Sequence, residues 1–264
     1  MADERSKGCV ACGWAREQEE QCSYSSHVKL FYGVSRRGTW SIGSDVIMKE
    51  HLNEGPKTEV DTLTYLAKPP ISQFRRLYVT GWTATGDTLS IQERIPVQTL
   101  EQTWPSSSES QRIAVADQVV GFRNQLRSIT WASMGIVDQG PSNPGLTFFD
   151  NEPHGSFHSD LELWEALSLT LHDPPRKTFP QEPLEYLKKE MSSCEPYVLT
   201  HCVFNLGKII VNEDLTGLLG WECSAYSTIW HEYVSASWRR TEAEWISLLQ
   251  RRLEFHGDGS NLLC

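Results

Sequence analysis

The spacing of hydrophobic positions changes once along this chain, close to residue 95. Before that point the apolar residues come in short runs. VKLFYGV (28–34) and DVIMKEH (45–51) read as strands separated by a Gly-bearing turn, SRRGTWSIGS (35–44). TEVDTLTYLAK (58–68) carries Val60, Leu63 and Leu66 behind a Thr start and reads as a helix. LYVTGWT (77–83) and TLSIQERI (88–95) are further short strands, joined by a turn around Gly86 and Asp87. After Ile95-Pro96 the period lengthens. Residues 106–129 place Ile113, Val115, Ala116, Val119, Val120, Phe122, Leu126 and Ile129 on a helical face. Residues 159–171 repeat the behaviour with Leu161, Leu163, Trp164, Leu167 and Leu171. Between these helices runs a Gly/Pro-rich loop, 135–157, long enough to suggest that it lines a site. A shorter helix is expected at 182–191. Short strands come next at 197–200, 208–211 and 217–221, and an amphipathic helix at 241–255 carries Trp245, Leu248, Leu249 and Leu253.

This pattern predicts an α+β protein in three parts: a polar, Cys-bearing segment (1–27), a small α+β lobe (28–95), and a larger, mainly helical lobe (96–264). The linking segment lies near residues 93–98. No internal repeat is visible, and the pattern does not fix an oligomeric state.

Composition narrows the function classes. The 264 residues are 39% hydrophobic and 10% aromatic, with ten Trp, a globular balance. The net charge of −10 disfavours nucleic acid and anionic membrane as partners, and the basic residues gather only in pairs such as Arg75-Arg76. No apolar run reaches membrane-spanning length, and the charged N-terminus has no apolar signal core, so a cytosolic protein is expected. Seven cysteines, an odd count, then read as reduced thiols. Cys9, Cys12, Cys22 and His27 form C-x2-C-x9-C-x4-H, which could hold a tetrahedral zinc or could be a tail with unpaired thiols.

The chemistry concentrates in residues 199–234, LTHCVFNLGKIIVNEDLTGLLGWECSAYSTIWHEYV. His201-Cys202-Val203-Phe204-Asn205-Leu206-Gly207-Lys208 is followed by the apolar Ile209-Ile210-Val211, then Leu218-Leu219-Gly220-Trp221-Glu222, then Trp230-His231-Glu232-Tyr233-Val234. This series resembles the aminoglycoside phosphotransferase (choline-kinase-like) family in its fungal form. There the catalytic loop reads H-x-D-x-x-x-x-N, followed by I-I-D-W-E and W-x-E-Y-V. Upstream, Lys49 looks like the small-lobe lysine and Glu59 like its helical partner. SIQERIP, with Glu93, looks like the hinge, and TLEQTWP like the segment just after the hinge. The resemblance implies a two-lobed protein-kinase-like fold.

It also locates three departures. The family's catalytic Asp falls at Val203, its metal-binding Asn at Lys208 and its second metal-binding Asp at Gly220. Phosphoryl transfer needs a carboxylate to orient the acceptor and oxygen ligands to hold Mg²⁺ on the phosphates. Valine and glycine supply neither, and an ammonium repels a metal. Conventional Mg-ATP kinase activity is therefore not expected, and no cofactor is expected. Glu222 points to the same face as position 220 on a continued strand, but the resemblance puts Glu there in any case. Lys208 could hold a phosphate or carboxylate in place of a metal, or could pair with Glu222. His201 could support the loop, as the resemblance implies, or serve acid–base chemistry.

Catalytic candidates are thus His201, Lys208 and Glu222, with Lys49, Glu59, Glu93, Asn205, His154 and His158 as candidate cleft-lining residues. Cys202 and Cys223 read as inert thiols. The expected partner is a small molecule, an anionic one if Lys208 meets it. Three functions stay open: a repurposed protein that binds or transforms a small molecule by isomerisation, cyclisation or dehydration, in the manner of secondary metabolism; a pseudokinase scaffold; and a weak atypical kinase.

Overall fold

The structure, a computed structural model, describes residues 28–34, 37–43, 45–51, 58–67, 77–82, 87–95, 98–142, 154–171, 185–186, 188–189, 191, 193–212, 216–236 and 242–254. Two compact units divide the chain, Met1–Pro96 and Val97–Cys264.

The first unit is a five-stranded antiparallel sheet, β1 (Val28–Val34), β2 (Arg37–Ile42), β3 (Val46–His51), β4 (Leu77–Trp82) and β5 (Thr88–Glu93), in the order β1-β2-β3-β5-β4. A helix, α1 (Thr58–Leu66), joins β3 to β4. The stretch 35–44, expected as a turn, instead contains β2. Its Thr39-Trp40-Ser41-Ile42 is a β-prone run that outweighs the turn preference of its glycines. The strand inserts between β1 and β3, which do not pair directly.

Register decides which face is covered. Ser41 stands opposite Ile47, Ile47 opposite Gln92, and Lys49 opposite Ser90, so these residues share one face. Ser41, Ser90 and Gln92 are fully enclosed and Ile47 nearly so. The buried face of β5 is thus its polar one, Thr88, Ser90 and Gln92. The same face of the sheet carries Lys49 of β3, whose ammonium meets Glu59 of α1 at 2.5 Å. The helix buries Thr58, Glu59, Thr62, Leu63 and Leu66, positions at helical spacing.

In the second unit, β6 (Gln98–Thr99) leads into a short helix, α2 (Leu100–Thr103), then a single 3₁₀ turn over Trp104–Ser106, before α3 (Glu109–Arg127) begins. The expected helix from 106 therefore starts later. Ser108 is its cap: its hydroxyl accepts from Gln111 N–H at 3.3 Å and the Gln111 side chain accepts from Ser108 N–H at 2.8 Å. The described residues of this unit also form two three-stranded antiparallel sheets. One holds β10 (Thr216–Leu218), β9 (Ile209–Val211) and β6; the other holds β11 (Ala225–Ser227), β8 (Tyr197–Thr200) and β7 (Thr130–Trp131). Helices α4 (Asp160–Leu171), α5 (His231–Ser235) and α6 (Ala243–Gln250) also belong to this unit.

The core of this unit joins Leu100, Ala116, Val119, Leu126, Leu163, Leu199, Ile209, Trp221, Trp245 and Leu249. Ion pairs Arg112–Glu244 (2.5 Å), Asp117–Arg252 (2.6 Å) and Arg127–Glu254 tie α3 to α6 and the residues just after it. The expected loop 135–157 is described only at its ends. They are not free: Met134 bridges Phe157, Ser142 bridges His154, and Gly135 bridges Tyr226 of β11. Half of the expected helix at 182–191 lies outside the described residues; Glu185, Tyr186, Lys188 and Lys189, which are described, are helical. Among the described residues, no helix is long and apolar enough to cross a membrane.

Candidate functional site

Strand β8 delivers the chain to the loop that carries the candidate chemistry. Thr200 ends the strand and is fastened on two sides: its hydroxyl donates to Ala225 O at 2.8 Å, and its carbonyl accepts from Ser224 Oγ at 2.7 Å. The loop His201–Asn205 then turns into a single 3₁₀ turn, Leu206–Lys208, capped by Asn205, whose Oδ1 accepts from Lys208 N–H at 3.0 Å. The second segment, Leu218–Glu222, lies against it. Leu219 N–H donates to Lys208 O at 2.7 Å, and Leu219 O is 3.1 Å from His201 Nε2.

That contact fixes the neutral His201 tautomer: Nε2 carries the proton and donates to the carbonyl. The ring is wholly enclosed, stacked on Phe204 at 5.6 Å and edge-on to Trp221 at 4.6 Å. Burial holds its pKa down at about 4, opposed by Glu222 and reinforced by Lys208. An imidazole sealed between two aromatic rings is a packing element, and this geometry favours the supporting role over acid–base work.

Lys208 and Glu222 meet, Nζ to Oε1 at 2.5 Å, with side chains 29% and 44% exposed. Gly220, in the left-handed region at φ 74°, lies against the pair. A β-carbon there would lie 2.3 Å from Lys208 Nζ and 2.8 Å from Glu222 Oε2. Val203 is buried, with 5% of its surface exposed. The Mg²⁺ implied by the resemblance would need oxygen ligands at 208 and 220; this chain offers an ammonium and no side chain. The residues present do not fit a divalent cation.

The backbone of the loop has its own anchor. His201 N–H donates to Glu232 Oε1 at 2.9 Å, and Glu232 Oε2 is 3.4 Å from Arg123 Nε. Both charged side chains are buried. Trp245 of α6 donates its indole N–H to Phe204 O at 2.7 Å. None of Arg123, Glu232 and Trp245 was expected as a site residue. Arg123 had a signal: it sits on the buried stripe Ala116, Val119, Arg123 and Leu126 of α3, where a cation demands a partner. Glu232 lies in the W-x-E-Y-V series, which named the position but not what it holds. Cys202 sits at φ 67° with Sγ 2.8 Å from Thr200 Oγ1, and burial pushes its thiol up, away from nucleophilic use.

The remaining candidates fall elsewhere. Lys49 and Glu59 form their ion pair within the first unit, where Glu93 ends β5 opposite Val46. His154 exchanges backbone hydrogen bonds with Ser142 at 2.7 and 2.9 Å. His158 is exposed, its Nδ1 3.6 Å from Glu162. Cys9, Cys12, Cys22 and His27 lie outside the described residues; among those described, no group of three or more His, Cys, Asp or Glu could hold a metal.

Among curated proteins, none matches the chain. Among solved structures, it is similar to aminoglycoside phosphotransferase APH(2'')-Ib in its ADP-bound form, at 13% identity and a TM-score of 0.56 over 94% of this chain and 83% of that one. It is also similar to the apo form of a thermostable mutant of APH(4)-Ia, at 13% identity and TM-score 0.59 over 93% and 85%. The streptomycin–ATP–APH(2")-IIa ternary complex matches at 13% identity and TM-score 0.55 over 94% and 82%. The fold is accordingly α+β and kinase-like, of the aminoglycoside phosphotransferase type. The profile described as "Phosphotransferase enzyme family" matches residues 50–261, and the chain belongs to that family.

Proposed function

We propose that this chain is a phosphotransferase-fold protein without kinase chemistry. It binds or transforms a small, anionic molecule without moving phosphate, through isomerisation, cyclisation or dehydration, in the manner of secondary metabolism and on a fungal-type member of the family. The observation that carries the reading is the Lys208–Glu222 pair packed over Gly220. A working transferase needs oxygen ligands converging on a metal and a carboxylate beside the acceptor. Here an ammonium fills the space, and Val203 cannot accept a proton. Solved relatives hold small molecules, ADP in one and streptomycin with ATP in another, which supports retention of a small-molecule site.

A second reading, a non-catalytic pseudokinase serving as a binding or scaffold module, draws on Lys49–Glu59. That pair is intact at 2.5 Å although the transfer residues are not. It would preserve the geometry of the first unit with or without nucleotide.

Thermal unfolding with ATP, ADP and Mg²⁺, alone and combined, tests the proposal. A ligand at a hundred times its Kd adds about 2.7 kcal/mol of stability. The expected outcome is no Mg²⁺-dependent stabilisation by nucleotide and no ATP turnover. Turnover with Mg²⁺ would overturn the reading. Stabilisation by nucleotide alone, without turnover, would move the choice to the pseudokinase.

A further inference from the structure

Position 208 stands where the resemblance puts an amide ligand to the metal, and position 220 where it puts a carboxylate. A cation serving both would sit between their side chains. In this chain that space is already taken by a cation: a β-carbon on Gly220 would be 2.3 Å from Lys208 Nζ and 2.9 Å from Lys208 Cδ. The ammonium has three N–H donors. Among the described residues Glu222 Oε1 is its one hydrogen-bond partner, and the side chain is 29% exposed, so donors remain for a ligand.

We infer that Lys208 is a tethered replacement for the divalent cation, receiving an oxyanion of the ligand, phosphate or carboxylate, directly and without metal. Glu222 is the internal counter-anion. It holds the ammonium in place when the site is empty, and the incoming oxyanion competes with it. The chain's net charge of −10 gives an anion no general attraction, so the local ammonium must supply it and binding must weaken as salt rises. This inference rests on the reading that the site performs no metal-dependent phosphate transfer.

The experiment titrates wild type, Lys208→Gln and Glu222→Gln with inorganic pyrophosphate, and separately with malonate, by calorimetry, first in EDTA and then in excess Mg²⁺. Wild type is expected to bind at least one of the two in EDTA, with no gain from Mg²⁺; which one binds separates a phosphate from a carboxylate ligand. Lys208→Gln should weaken binding by about tenfold or more, the value of a charge-assisted hydrogen bond. Glu222→Gln should tighten it by roughly threefold, because a partly exposed competitor has been removed. A merely structural pair would weaken binding equally in both variants, or in neither. Equal affinity in wild type and Lys208→Gln, a requirement for Mg²⁺, or no binding of either oxyanion overturns the inference. ATP turnover on the same samples reports separately: its appearance sinks the reading beneath the inference, whereas loss of Lys208 dependence without turnover sinks the inference alone.

Discussion

Two imidazoles, His201 and His231, are sealed inside the second unit, and burial holds both at about 4, below the 6.5 of a free ring. A group with a depressed folded pKa binds its proton more readily in the unfolded chain. Between pH 6.5 and 4 the unfolded state therefore takes up to two more protons from these rings, and stability falls with acidification. Glu232 works the other way: burial raises it to about 7 from 4.5, against the pull of Arg123, so the folded state holds the extra proton there. Two rings against one carboxyl leave a net uptake of about one proton on unfolding. The free energy of urea unfolding is thus expected to fall from pH 6.5 to 4.5, and His201→Phe to flatten that slope. Stability that rises on acidification would contradict the assignment. At this scale the sequence carried the identities and not the environments. Lys208 could face a ligand or Glu222, and His201 could be buried or poised, because each choice depends on where Leu219 and Trp221 lie. Those residues are far from His201 along the chain, and no local period reports on them.

Elements hold the loop through charges that local patterning does not display. Glu232 on α5 takes the His201 N–H and faces Arg123 on α3. Both side chains are nearly fully enclosed, at 3% and 4% exposure. Removing one member of such a pair leaves the other charge buried and uncompensated. Above pH 7, where Glu232 is ionised, Glu232→Gln is expected to cost about 3–5 kcal/mol, whereas Arg123→Met with Glu232→Gln should recover part of that loss. Urea midpoints of the two single variants and the double variant measure it; additive losses would show that the pair does not couple. The helices themselves were legible, since α1, α3, α4 and α6 follow a 3.6-residue apolar period. The strand β2 was not, because its glycine read as punctuation. Nor was the covered face of β5, where polar residues are inside. Alternation shows that one face is buried; only the Lys49–Glu59 pair shows why it is the polar one.

For the molecule as a whole, the frame of residues 199–234 was readable because its buried apolar positions, among them Leu199, Ile209, Trp221 and Val234, serve packing. What the frame could not show is that the departures are physically coupled. A carboxylate introduced at 220 alone meets Lys208 Nζ, which would take it as a new ion-pair partner, so Gly220→Asp by itself is expected to bind no metal. Lys208→Asn removes the tethered cation, and only then do the two positions offer an amide and a carboxylate to one ion. Lys208→Asn with Gly220→Asp is therefore expected to gain Mn²⁺ binding, read by the metal's own paramagnetic signal, where each single variant gains none. The backbone at 220, at φ 74°, costs about 1–2 kcal/mol for a side chain, which the double variant must tolerate. Adding Val203→Asp places an acid where 5% of the valine is now exposed, so stability should drop further while Mg²⁺-dependent ATP turnover appears. Mn²⁺ binding in Gly220→Asp alone would show that Lys208 does not block the site. A folded double variant that binds no Mn²⁺ would show that positions 208 and 220 do not converge on one ion.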